Sequence, residues 1–128
     1  MNRSILLFVS LFVITICKAQ APISKWPDLK NFHEVISKTF HPSQEGHMEP
    51  IKQNSALLYE KSKLLATNKI PAEFDKPEVK KATKDLLATC KKVNDLVKSK
   101  GADADIKKEL AAAHDQFHKI LELAKIEE

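Results

Sequence analysis

All five histidines of the chain fall in two clusters, His33, His41 and His47 early and His114 and His118 late. Imidazole is the commonest metal ligand among side chains. The later cluster reads His114-Asp115-Gln116-Phe117-His118. Residues four apart share one face of a helix, so a helix here makes a bidentate site for zinc, copper or nickel. His33, His41 and His47 are candidate further ligands if folding joins the clusters. Glu34, Glu45, Asp115 and Glu122 are candidate supporting carboxylates. Glu122 follows His118 by one turn and suits a fourth ligand or a partner that orients a ring. Each histidine also has a plainer reading. A single histidine on an apolar stripe is usually a satisfied core or boundary residue. His41 before Pro42 suits a helix terminus, where a cation complements the dipole. His47 suits an exposed loop.

The elements that must position these rings read as four helices. The chain has only two glycines, Gly46 and Gly101, both between helical patterns, and no stretch sustains strand-like alternation. The first helix opens at Pro27, a residue favoured at the first helical position, and ends at His41-Pro42. Its stripe is Leu29, Phe32, His33, Ile36 and Phe40. The second begins between Ser43 and Pro50 and runs to about Ala66, with Met48, Ile51, Ser55, Leu58, Ser62 and Leu65. A linker, Thr67 to Lys76, follows. The third opens at Pro77 and carries Val79, Ala82, Leu86, Cys90, Val93 and Val97, with Leu96 beside the stripe; Gly101 stops it. Asp103 or Asp105 caps the fourth, whose stripe is Ile106, Leu110, Ala113, His114, Phe117, Leu121 and Ala124. The tail Ile126-Glu127-Glu128 is expected to fray. Four amphipathic helices with short connections predict an all-α, antiparallel up-down-up-down four-helix bundle.

In that bundle the first and fourth helices are antiparallel neighbours. At 1.5 Å per residue, His33 lies about 12 Å below the shared end and His114 about 15 Å below it. The expectation is that His33 and His114 face the core at one level, with His118 a turn deeper. His41 and His47 join only if the second helix starts early.

The first nineteen residues have the layout of a secretory signal peptide. Arg3 gives a positive start, Ile5 to Ile16 is apolar except for Ser10 and Thr15, and Ala19 offers a small residue before a cut at Gln20. The apolar run is shorter than the roughly 20 residues of a membrane span. Lipidation at Cys17 is disfavoured by the bulky Ile16. The mature chain, Gln20 to Glu128, is 109 residues long and suits one domain, secreted or periplasmic, with no stable membrane insertion. Loss of Arg3 and Lys18 leaves 19 basic residues against 17 acidic ones, a formal charge of +2. The lysines are spread among acids, which argues against a nucleic-acid partner. Cys90 then stands alone, so it forms no internal disulfide, and its apolar neighbours predict a buried structural thiol.

Several chemistries are excluded by motif. The HDQFH segment places Asp115 where zinc proteases need the longer glutamate as general base. No Glu-x-x-His pair of a carboxylate-bridged di-iron bundle occurs. There is no CxxCH, no glycine-rich phosphate loop and no G-x-S-x-G elbow. With no accessible nucleophile, the chain is not expected to be an enzyme.

The signal peptide, the four-helix pattern and the late histidine resemble periplasmic four-helix cytochromes of the c-prime and b types, over Trp26 to Lys125. The c-prime group carries haem on CxxCH in the last helix; His114-Asp115-Gln116-Phe117-His118 stands there instead. The b-type bundle places a methionine in the first helix, where His33 stands here. The resemblance implies a bis-histidine haem between His33 and His114 or His118. The residues themselves point first to a transition-metal ion, zinc or copper, held by His33, His114 and His118 with His41 and His47 as auxiliaries, for sequestration or buffering. A structural or interaction module without ligand is the third reading. Neither the oligomeric state nor the identity of the ion is legible.

Overall fold

The computed structural model describes residues 19–128, so the signal-peptide segment lies almost wholly outside the described residues. Four helices form an antiparallel up-down-up-down bundle, as the sequence predicts: α1 Pro27–Gln44, α2 Glu49–Thr67, α3 Pro77–Lys98 and α4 Asp103–Ala124. They close a ring in which α1 packs on α2, α2 on α3, α3 on α4 and α4 back on α1. Among the described residues no helix is long and apolar enough to cross a membrane.

The apolar stripes of α2 and α3 became the core. Ile51, Leu58, Leu65, Val79, Leu86, Cys90 and Val93 are all within 1% of full burial. The small polar residues on the α2 stripe are buried too, and their hydroxyls are satisfied. Ser62 donates to the Tyr59 carbonyl at 2.7 Å, and Ser55 donates across the helix pair to Asn94 Oδ1 at 3.1 Å. A buried hydroxyl costs little once it is hydrogen-bonded, and its small size lets two helices approach.

Helix ends depart from expectation in instructive ways. α1 runs through Pro42 to Gln44. Proline gives no N–H to the Lys38 carbonyl, but Lys38 is exposed, and the loss falls in the last turn. The end is closed by Glu45 and His47 N–H groups donating to the Pro42 carbonyl at 3.0 and 2.9 Å. Neither Asp103 nor Asp105 caps α4. The cap position is Ala102 and has no side-chain hydrogen bond; Asp103 is the first helical residue and accepts from Lys52 Nζ at 2.7 Å. After α3 it is Lys100, at φ +56°, that takes the left-handed turn. Gly101 serves close approach instead. Its N–H donates to the Leu96 carbonyl at 2.8 Å, and a Cβ there would sit 3.1 Å from that oxygen and from Leu96 Cδ2.

Two segments outside the helices complete the fold. Within the linker, Ala72–Phe74 forms a single 3-10 turn that drops Phe74 onto Trp26, rings stacked at 5.8 Å and 12°. The tail does not fray. Lys125, at φ +55°, reverses the chain, Ile126 is buried, and β2 (Ile126–Glu127) pairs in parallel with β1 (Ala21–Pro22). A buried isoleucine two residues from the end anchors what polarity alone would leave loose.

Phe74→Ala should destabilise the protein by about 3–5 kcal/mol in denaturant unfolding. It should also red-shift the emission of Trp26, the single tryptophan. Burial pushes the Cys90 thiol from 9.0 up to about 12, with a smaller opposing contribution from Ser62. The folded state therefore keeps a proton that the unfolded chain releases above pH 9.0, and the stabilisation from the neutral thiol, intact below that pH, fades as pH rises toward 12. The stability difference between the native protein and Cys90→Ala should narrow over that range. A thiol reagent near neutral pH should label Cys90 only in denaturant.

Candidate metal centre on the α1–α4 face

α1 and α4 approach less closely than the other three neighbouring pairs. Bulky rings fill the space between them. Phe117 is buried, with Phe32 on its inner side at 5.8 Å and the His33 imidazole stacked on it at 5.2 Å and 8°. One turn away, His114 stacks on Phe40 at 3.8 Å and 11°. An aromatic layer thus separates the aliphatic core from a row of imidazoles. The outer rings are half-buried (His33, His114) or exposed (His41, His118).

The row brings together four of the five histidines. His114 and His118 meet edge to face, ring centroids 4.5 Å apart, with their Nε2 atoms 3.2 Å from each other. His41 stands edge-on to His114 at 5.8 Å. His33 reaches the group through the tail. Glu128 places one carboxylate oxygen 3.5 Å from His33 Nε2 and the other 3.4 Å from His118 Nδ1. His47 is exposed in the turn between α1 and α2, and among the described residues no ring, hydrogen-bond or ion-pair contact joins it to the others.

Three expectations are corrected. First, His33 does not share a level with His114. His33 pairs in height with Phe117, and Phe40 and His41 pair with His114. These pairings make α1 and α4 flush where α1 begins and α4 ends. α4 has 22 residues and α1 has 18. The surplus turn, about 6 Å, accumulates at the end from which the depths were measured. Second, His41 belongs to the row although it needs no early start of α2. Third, the carboxylate in contact with the row is not one of those named from sequence. Glu34, Glu45 and Asp115 are exposed without contact to a ring, and Glu122 pairs with Lys119 at 3.5 Å. The carboxylate that does reach the row, Glu128, sits in the tail expected to fray; the apolar Ile126 was its only sequence signal.

The imidazole of His114 titrates below its ordinary value. Burial is the main cause, followed by the neighbouring His118 and His41, with Asp115 and Glu128 opposing. A neutral ring keeps a lone pair for an acid or an ion. Among the described residues, no group of three or more His, Cys, Asp or Glu side chains already converges to hold a metal ion. What converges is the pair His114/His118. Three surface cavities lie at the α2–α3 linker and around the α3–α4 turn, and no histidine lines them.

No protein-family model, curated protein or solved structure matches the chain.

The tail anchorage is testable. Ile126→Asp buries a charge with no partner and should release the tail. The Ala21 amide, which donates to the Lys125 carbonyl at 3.2 Å, should then lose hydrogen-exchange protection. Amides in the middle of α2 and α3 should keep theirs; loss of protection throughout would mean the tail supports the whole bundle.

Proposed function

We propose that the protein binds one transition-metal ion, zinc or copper, through His114 and His118, and acts in sequestration or buffering of that ion. The observation that carries this reading is the 3.2 Å between the two Nε2 atoms. Two nitrogens bound to zinc at about 2.0–2.1 Å lie roughly 3.3–3.4 Å apart at the tetrahedral angle and roughly 2.9 Å apart at a right angle. The pair already has the bite of a chelate between these two geometries. A hydrogen bond between the two rings accounts for the same distance in the metal-free protein, and an ion would replace that shared proton. His41 is exposed and free to turn its ring toward His114 as a third ligand, with solvent completing the shell. His33 lies beyond His118 and contributes through Glu128, not directly.

The b-type haem reading and the ligand-free interaction module receive no comparable support. The faces of His33 and His114 lie against Phe117 and Phe40, and the two closest imidazole nitrogens come from one helix. Axial haem ligands must instead approach from opposite sides of a plane.

Titration of the metal-free protein with zinc or copper(II), followed by calorimetry and elemental analysis, should show one equivalent taken up at micromolar concentration. The double variant His114→Ala/His118→Ala should lose uptake, and His41→Ala should weaken it. His47→Ala should leave it unchanged. Undiminished uptake in the double variant, or none in the native protein, would sink the proposal; a Soret band in protein from its native compartment would favour haem.

A further inference from the structure

We infer that Glu128 is the positioning residue of this site: its carboxylate holds the proton of His118 on Nδ1 and so leaves the Nε2 lone pair facing His114. Its consequence for affinity rests on the metal-binding reading above, but the proton placement does not need an ion.

A neutral imidazole carries one proton on one of two nitrogens, and the hydrogen bond made by one decides what the other can do. Both nitrogens of His118 have a partner. Nε2 faces His114 Nε2 at 3.2 Å, and Nδ1 faces Glu128 Oε1 at 3.4 Å. An ionised carboxylate only accepts. A proton on Nδ1 therefore satisfies Glu128, whereas a proton on Nε2 would leave Nδ1 with its lone pair against an anion. Carboxylates placed behind ligating histidines in this way fix ring orientation and raise basicity.

Glu128 is held for this task from two sides. Its other oxygen lies 3.5 Å from His33 Nε2 on α1, and His33 is itself fixed flat on Phe117. The main chain is anchored two residues earlier by buried Ile126 and by the β1–β2 pairing. Both separations exceed a charge-assisted hydrogen bond of about 2.7–2.9 Å. The side chain of Glu128 is half-exposed, so its rotamers are not locked by packing.

The test is long-range ¹H–¹⁵N NMR of the imidazoles in the metal-free protein, followed by zinc titration. His118 should carry its proton on Nδ1 in the native protein and shift toward the Nε2 form in Glu128→Ala. Glu128→Gln, which keeps a carbonyl acceptor, should largely restore the native form. Glu127→Ala, on the same tail, should change nothing. Zinc affinity should fall about 10–100-fold in Glu128→Ala while the capacity of one equivalent is kept. An unchanged tautomer in Glu128→Ala overturns the inference, and so does an equal change in Glu127→Ala, which would assign the effect to the tail as a whole. If the native protein takes up no zinc, the metal reading fails, and the tautomer alone then decides the role of Glu128.

Discussion

The α1–α4 face depends on one buried ring. Phe117 touches Phe32 in the core and His33 at the surface, so the packing of the interior is passed outward through it to His33, as Phe40 passes it to His114. Aromatic side chains are rigid and large, and two such rings between helices hold the backbones apart. The wider α1–α4 spacing is therefore a consequence of what sits there, and it gives the imidazoles a shelf that is neither core nor open solvent. On the α2–α3 side, serines and Asn94 do the reverse. Small hydroxyls, satisfied within the helix at Ser62 and across the pair at Ser55, let the backbones close up, and no comparable shelf forms.

How much of this was legible follows from what each signal measures. Hydrophobic periodicity reports burial within one helix, and it placed every stripe residue of α2 and nearly all those of α3 correctly. It put His33 and His114 on the apolar stripes, facing the core; both are only half-buried, stacked on Phe117 and Phe40. Periodicity carries no information about the relative height of two helices. Height depends on which ends are flush, here the start of α1 and the end of α4, next to which the dipeptide strands β1 and β2 pair. The level assigned to His33 missed by about one turn for that reason. Helix caps misled in a related way. Asp103 has the residue type of a cap but serves a dipole and a cross-helix lysine, while a proline that should end α1 falls where one missing hydrogen bond is tolerable.

The site was half legible. A spacing of four on a helix puts His114 and His118 on one face, within reach of each other; the structure brings their Nε2 atoms to 3.2 Å. The carboxylate could not be found by the same logic. Glu34 follows His33 directly, and neighbours in sequence point to different azimuths of a helix. Asp115 and Glu122, three residues before and four after His118, share its face, yet Asp115 is exposed and Glu122 pairs with Lys119 at 3.5 Å. Glu128 escapes the constraint because Lys125 leaves the helix through a left-handed residue and turns the chain back across the face it has just formed.

That path gives the site a particular character under the proposed reading. β1 pairs with β2, and Glu128, which follows β2, reaches the histidine row. Helix-borne histidines supply a pair four residues apart on one helix, and the tail supplies a carboxylate placed by buried Ile126, the β1–β2 pairing and His33. The pair is thus local to α4, while the carboxylate depends on contacts from other elements. The ligands are half-exposed, and solvent can complete the coordination shell without opening the bundle. A buried cage would trap an ion and couple its release to unfolding. An open chelate on a preformed shelf exchanges its ion at the surface, which is what a buffering role requires and a structural metal site does not.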